Sequence, residues 1–148
     1  MATDKKIPDT ESASVSLAEG MHFVGEIDGF SIDTDAKEEV GGVGAGPDPV
    51  RFLLLGLAGC TAMDVISILR KKRQQVSALA VEVHGRRVDE HPKVYDHIEV
   101  IYRVEGKEVD AKALQRAIEL SETRYCPVMA VLGKTAEIVS RYEIEQES

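Results

Sequence analysis

The chain has 148 residues, 43% of them hydrophobic and 30% charged, which suffices for the core and surface of one domain. Its net charge of −8 argues against nucleic acid or an anionic membrane surface as a partner, because both would repel an acidic protein. Residues 1–14 lack the apolar run of a secretory signal, so we expect a cytoplasmic protein with a disordered tail over residues 1–14 and a single domain over residues 15–148.

Three short strands are predicted at the start of the domain. Apolar and polar residues alternate over residues 15–17, 22–27 and 30–32, and Asp28-Gly29 is a typical hairpin turn between the last two segments. The segment 36–49 is rich in glycine and proline, which predicts an irregular loop before the first helix.

A long helix is predicted over residues 50–73, with Asp48 as its N-cap and Pro49 at its first position. This segment is apolar on nearly every side, which indicates a helix buried on most of its circumference. A single chain of this size has difficulty covering both faces of so long a helix, so we expect a partner subunit to cover one of them. Gly56 and Gly59, with Ala58 between them, would let another backbone come close.

The same helix is long enough to span a membrane. Two charged residues, Arg51 and Asp64, lie within its apolar window, and the rest of the chain has the composition of an ordinary soluble domain. We therefore predict that the protein has no membrane partner.

The second half of the chain is predicted as two strands, two helices and a closing strand, over residues 79–88, 97–104, 111–122, 127–132 and 136–144. Asp110 is the expected cap of the first helix, Pro127 separates the two helices, and Gly133 ends the second. The order βββ-α-ββ-αα-β predicts an α+β domain without βαβ units.

Two cysteines are the best candidates for a reaction centre. In a reducing compartment a cysteine pair is more often catalytic, redox-active or metal-binding than structural. Cys126 directly precedes Pro127, where the first N–H groups of a helix would favour a thiolate, although a small buried hydrophobe is the alternative interpretation. Cys60 lies deep in the long helix, beyond the reach of the helix dipole.

Charged residues near the cysteines could support such a site. Asp64 shares a helix face with Cys60, and a buried carboxylate must find either an arginine or a set of hydrogen bonds from another element. Arg124, two residues before Cys126, is one candidate cation. Arg51 is a weaker one, because nine residues of helix place it almost opposite Cys60.

The run from Gly46 to Leu69, together with Glu122-Thr-Arg-Tyr-Cys-Pro127, resembles the OsmC/Ohr family of thiol-dependent peroxidases over about residues 15–145. The resemblance implies an intertwined homodimer with two buried central helices between wrapped antiparallel sheets, and active sites at the subunit interface. It also implies that Cys60 attacks an organic hydroperoxide and that Cys126 resolves the sulfenic acid, with a small or protein-bound dithiol as the reductant. No cofactor and no metal are expected.

Two further functions stay open at this point. The residue after Pro49 is Val50, where peroxidases of the family have glutamate, and no arginine precedes Arg51 in the sequence. The run from Gly59 to Leu69 is more similar to an OsmC-like branch whose substrate is poorly defined. The alternatives are a dimeric binding protein for a hydrophobic small molecule, and a thiol redox sensor.

Overall fold

The computed structural model of this chain describes residues 10–148. Its elements follow the predicted order βββ-α-ββ-αα-β, so the α+β fold class is confirmed. The chain forms two compact units, one that ends at Phe52 and one over Leu53–Ser148. Of the predicted tail, residues 1–9 lie outside the described residues, and the first strand begins at Ala13. A single domain starting at residue 15 stays a prediction.

The first unit contains a three-stranded antiparallel sheet of β1 (Ala13–Glu19), β2 (His22–Ile27) and β3 (Phe30–Thr34). Asp28 and Gly29 both have positive φ angles, 51° and 82°. Such a pair closes a two-residue hairpin whose twist matches that of the strands, as Asp-Gly predicts.

The glycine-rich loop after β3 is irregular, as predicted, apart from one 3₁₀ turn over Glu38–Val40, and it is held in place by Asp35. The Asp35 carboxylate accepts hydrogen bonds from the backbone N–H groups of Ala36, Val43 and Ala45, at 2.8, 2.9 and 3.1 Å. The bonds from Val43 and Ala45 lower the pKa of Asp35 below its ordinary value of 3.8. The loop therefore has a defined course that depends on an ionised carboxylate.

The long helix α1 (Phe52–Lys71) follows one 3₁₀ turn over Pro49–Arg51. Asp48 is the predicted cap: its carboxylate accepts the N–H of Val50 at 2.9 Å. By length and composition alone, the segment Pro49–Lys71 could cross a membrane.

Burial of α1 within one chain is narrower than its apolar sequence suggested. Only one stripe is buried, with four residues spaced four apart: Leu57, Thr61, Val65 and Leu69. Leu53, Leu55 and Met63 remain exposed on other sides. The expectation of burial on most of the circumference is therefore not met by a single chain, because the chain supplies cover for one side only.

The second sheet has the order β4–β5–β6, with β4 (Gln75–Arg87), β5 (Tyr95–Lys107) and β6 (Glu137–Gln146). Strands β4 and β5 are antiparallel, whereas β6 runs parallel to β5. The central strand β5 contributes Ile98, Val100, Tyr102 and Val104 to the buried core, and Arg103 between them is exposed. The predicted alternation is met except at Ile101, which lies on the opposite face and is also buried, at 3% exposure.

Helices α2 (Ala111–Leu120) and α3 (Pro127–Leu132) lie between β5 and β6 in the chain. Asp110 caps α2, as predicted, by accepting the N–H of Lys112 at 3.1 Å. The chain does not leave α2 directly for α3: residues Ser121–Tyr125 form a π-helical turn, which the sequence analysis did not predict. Ser121 and Glu122 lie in this turn and Cys126 follows it directly, and all three belong to the site described below.

Candidate functional site

The two cysteines and Asp64 form one cluster, although Cys126 is distant in sequence from the other two. The two sulfurs and a carboxylate oxygen of Asp64 all lie within 4.8 Å of one another. Both cysteines are free thiols. Helix α1 supplies Cys60 and Asp64 from one face, because residues four apart are neighbours on a helix. The N-terminus of α3 supplies Cys126.

Cys126 is the N-cap of α3, as expected from its position before Pro127. Its sulfur accepts the backbone N–H of Met129 at 3.3 Å. Burial nevertheless raises the pKa of the Cys126 thiol to about 11, and a hydrogen bond to Cys60 adds to the rise. The expected stabilisation of a thiolate at this helix start is therefore outweighed, because the thiol is almost completely buried. Cys126 is protonated at neutral pH.

Cys60 differs from Cys126 in access. Its side chain is only partly buried, whereas Cys126 is 4% exposed. In the single chain Cys60 is therefore the more accessible of the two thiols.

Asp64 has the hydrogen-bond partner that the sequence analysis required from another element. The hydroxyl of Ser121, from the π-helical turn, donates to its carboxylate at 2.9 Å. The sequence predicted that either an arginine or hydrogen bonds from another element would contact Asp64, and the structure has a hydrogen bond from the neutral hydroxyl of Ser121.

A chain of hydroxyl groups continues from Ser121 into the core. Ser121 bonds to Thr61 at 2.9 Å, and Thr61 bonds to Tyr102 at 2.8 Å. Tyr102 donates to Glu122 at 2.7 Å, and Glu122 also accepts the Ser140 hydroxyl at 3.0 Å. The sequence analysis did not identify Thr61, Tyr102 or Glu122 as parts of the site.

Among residues 10–148, neither of the two supporting arginines forms an ion pair with Asp64. Arg124 is exposed, and its guanidinium lies 5.5 Å from the ring centroid of Tyr125. Arg51 is exposed at the end of the 3₁₀ turn before α1, in the first of the two units. Their supporting roles therefore stay predictions without a contact behind them.

Two thiols and a carboxylate are also groups that zinc accepts as ligands. Among residues 10–148 no fourth histidine, cysteine or acidic side chain joins this group, so a closed structural zinc site of four ligands is not formed. The prediction that the protein uses no metal is left for experiment.

Comparisons with known proteins show which family the chain belongs to. The family model described as OsmC-like protein matches residues 42–141. The protein YhfA of Escherichia coli K12 is 36% identical over 133 residues, which are 89% of this chain and 96% of YhfA.

Solved structures have the same fold. A hypothetical protein from Aquifex aeolicus is 28% identical, with a TM-score of 0.84 over 95% of this chain and 99% of the other. An organic hydroperoxide resistance protein OsmC from Legionella pneumophila is 14% identical, with a TM-score of 0.66 over 93% and 99% of the two chains, and supports the fold alone. The chain belongs to the family of OsmC-like proteins.

Proposed function

We propose that the protein is a thiol-dependent peroxidase that reduces organic hydroperoxides, with Cys60 as the attacking thiol and Cys126 as the resolving thiol. One observation carries the proposal: the two sulfurs lie within 4.8 Å of each other. A small movement of either side chain would bring them to the bonding distance of a disulfide, about 2.05 Å.

The proposed reaction has two steps. The Cys60 thiolate attacks the terminal peroxide oxygen, so that an S–O bond forms, the O–O bond breaks and an alkoxide leaves, which takes a proton to become an alcohol. The Cys126 sulfur then attacks the sulfenic sulfur of Cys60, and the hydroxyl leaves as water with the Cys126 proton. A dithiol reductant afterwards reduces the disulfide and restores both thiols.

The environments of the two cysteines support this assignment of roles. Cys60 is the more accessible sulfur, as an attacking thiol must be. The raised pKa keeps Cys126 protonated, so that Cys126 does not compete for the peroxide at neutral pH. The choice of organic hydroperoxides as the substrate class follows from the resemblance of the sequence to the OsmC/Ohr peroxidases.

We also propose that the working form is a homodimer in the cytoplasm. Leu55 and Met63 of α1 are 67% and 72% exposed in the single chain. On β1 and β3, Leu17 and Phe30 are 62% and 71% exposed. Soluble monomers rarely leave this much apolar surface open on both a long helix and a sheet, and a second copy of the chain would cover it.

A non-enzymatic binding protein is the second candidate. A pocket of about 300 Å³ in the first unit is lined by apolar side chains that include Val15, Ile27, Ile32 and Phe52. Pockets of this size and character hold small hydrophobic molecules. Val50 at the position of the family's glutamate favours the same interpretation.

Turnover measurements separate the two functions. Consumption of cumene hydroperoxide is measured with a dithiol reductant for wild type, Cys60→Ser and Cys126→Ser. A peroxidase requires turnover in wild type and its loss in Cys60→Ser. A binding protein shows no thiol-dependent turnover in any of the three, and a redox sensor forms the disulfide without sustained turnover.

A further inference from the structure

A continuous chain of oxygen atoms connects the dithiol cluster with Glu122. The four O···O distances, in order from Asp64 through Ser121, Thr61 and Tyr102 to Glu122, are 2.9, 2.9, 2.8 and 2.7 Å. All four are hydrogen-bond distances. The three hydroxyl residues in the middle are fully buried, and the two ends are carboxylates.

The number of hydrogens in this chain does not match the number of bonds when both carboxylates are ionised. Four O···O contacts need four hydrogens, and the three hydroxyls supply only three. One contact would then bring two oxygens together with no hydrogen between them. A single additional proton, on either carboxylate, completes all four bonds with every hydroxyl oriented in the same direction.

The hydroxyls have no alternative arrangement that removes the mismatch. Among residues 10–148, Thr61, Ser121 and Tyr102 have no other hydrogen-bond partner for their hydroxyl groups. Burial raises the pKa of Tyr102 well above its ordinary value, so its hydroxyl remains neutral. A hydrogen-free contact between buried oxygens is costly, because neither oxygen can turn to water.

We propose that Asp64 and Glu122 share one proton through the hydroxyls of Ser121, Thr61 and Tyr102, and that this chain conducts the proton between the cysteines and the protein surface. When the proton rests on Asp64, the carboxylic acid donates to Ser121 and, of the three hydroxyls, only Tyr102 donates to a carboxylate, Glu122. When it rests on Glu122, the carboxylic acid donates to Tyr102 and only Ser121 donates to a carboxylate, Asp64. Reversal of three hydroxyl groups moves the proton from one end to the other without moving the backbone.

The two ends of the hydrogen-bonded chain suit two tasks, the supply of a proton to the cysteines and the uptake of a proton from solvent. At one end, Asp64 lies within 4.8 Å of both sulfurs. At the other end, Glu122 is only partly buried and accepts the Ser140 hydroxyl in an open surface pocket. Asp64 is partly buried as well, so protons can enter from solvent at either carboxylate, and a proton that enters at Glu122 reaches Asp64 through the three hydroxyls.

The use of this proton in catalysis rests on the proposed peroxidase function. When the O–O bond breaks, the leaving alkoxide takes the proton of the Asp64 carboxylic acid, and an alcohol and a carboxylate result. The chain then lacks its fourth hydrogen, and a proton from water at Glu122 restores it. In the second step, with the shared proton on Glu122, the Asp64 carboxylate would take the Cys126 proton and transfer it to the departing hydroxide, which leaves as water.

The shared proton can be tested in the resting protein, without any peroxide. Infrared spectra at neutral pH, in H₂O and D₂O, are compared for wild type, Tyr102→Phe and Tyr142→Phe. Tyr102→Phe leaves two contacts and two hydroxyl hydrogens on the Asp64 side, so the need for an extra proton disappears. Tyr142→Phe is the matched control, because its hydroxyl bonds only to Gln115 at the surface.

We expect wild type and Tyr142→Phe to show the C=O band of one protonated carboxylic acid, with a shift in D₂O. Tyr102→Phe should lose this band. The proposal is overturned if wild type shows no such band, or if the band survives in Tyr102→Phe.

A second variant covers the case in which Tyr102→Phe does not fold. The amide of Glu122→Gln can donate the fourth hydrogen to Tyr102 while its oxygen still accepts from Ser140. We expect this variant to lose the carboxylic acid band and to unfold at or above the wild-type temperature. A clear fall in the unfolding temperature would show that Asp64 and Glu122 are both ionised in the wild-type protein, and would refute the shared proton.

The role of the hydrogen-bonded chain in catalysis is tested by a separate measurement. Tyr102→Phe should slow formation of the Cys60 sulfenic acid by cumene hydroperoxide by on the order of 10²-fold, the lower end of what general acid catalysis supplies. Tyr142→Phe should react at the wild-type rate. If wild type does not react at all, the peroxidase function fails while the infrared result still decides the shared proton. If Tyr102→Phe reacts as fast as wild type, the conduction is refuted.

Discussion

The backbone N–H of Met129 donates a hydrogen bond to the sulfur of Cys126 at 3.3 Å, yet the pKa of this thiol is raised to about 11. Burial accounts for the difference, because a single N–H and a helix of six residues do not replace the solvation of a thiolate. A helix start therefore does not by itself activate a cysteine.

The first prediction concerns the pH dependence of Cys126. Because its pKa lies above the ordinary value of 9.0, alkylation of Cys126 by iodoacetamide should keep rising with pH towards about 11. Mass spectrometry after short exposures measures the rate for each cysteine separately. The urea-unfolded chain is the control, in which the rate at Cys126 should level off near pH 9. A folded protein whose rate levels off at the same pH as the unfolded chain would contradict the role of burial.

The second prediction concerns the Asp35 carboxylate. Asp35→Asn should lower the unfolding temperature and speed amide exchange at Val43 and Ala45, because an amide NH₂ would face backbone N–H donors. Asp33→Asn is the matched control, since Asp33 bonds to His22 at an exposed position. Hydrogen exchange and thermal unfolding measure the two effects. Equal behaviour of the two variants would rule out a special role for Asp35.

The same carboxylate predicts a pH effect with a definite sign. The folded-state pKa of Asp35 is lowered, so its contribution to stability is complete above the ordinary value of 3.8 and is lost as the pH falls through the folded value. Asp35→Asn should remove this part of the acid dependence. An unchanged acid dependence in the variant would contradict the account.

The third prediction concerns the exposed apolar side of α1. Met63→Glu should weaken the proposed dimer by on the order of 10²-fold, because burial of an unpaired charge costs several kcal/mol. Sedimentation equilibrium against twice the chain mass of 16.2 kDa measures the effect. Val139→Glu, another exposed apolar position on β6, is the control for added charge. A wild-type protein that sediments as a monomer at all concentrations would refute the dimer.

The fourth prediction concerns substrate size. The apolar surroundings expected around Cys60 should favour cumene hydroperoxide over hydrogen peroxide in the rate of thiol loss. Stopped-flow measurement of free thiols under identical conditions gives both rates. Equal rates for the two peroxides would remove the preference for organic hydroperoxides.

Local signals in the sequence were sufficient for most elements of the fold. Asp48 and Asp110 cap helices where predicted, Pro127 is the first residue of α3 and Gly133 follows its last, because these residues act on the backbone within one turn. The π-helical turn over Ser121–Tyr125 was missed. Its sequence is compatible with an ordinary helix, and only its tertiary hydrogen bonds single it out.

The site was predictable only in part, for the same reason. Cysteine is rare and chemically distinctive, so Cys60 and Cys126 were evident candidates, and Asp64 followed from its spacing to Cys60. Thr61 and Tyr102 are ordinary residues of a helix and a strand. They lie 41 positions apart, and nothing in the sequence around either residue indicates that their hydroxyls are in contact. A polar residue on the buried stripe of α1 is the one signal that could have drawn attention to Thr61.

The most direct test of the central claim is to map the disulfide by mass spectrometry after treatment with one equivalent of cumene hydroperoxide. We predict that wild type loses both free thiols and contains a Cys60–Cys126 bond within one chain, and that Cys126→Ser stops at a sulfenic acid on Cys60. Cys60→Ser should remain reduced. Two free thiols in treated wild type, or a disulfide that joins any other pair of sulfurs, would contradict a dithiol peroxidase.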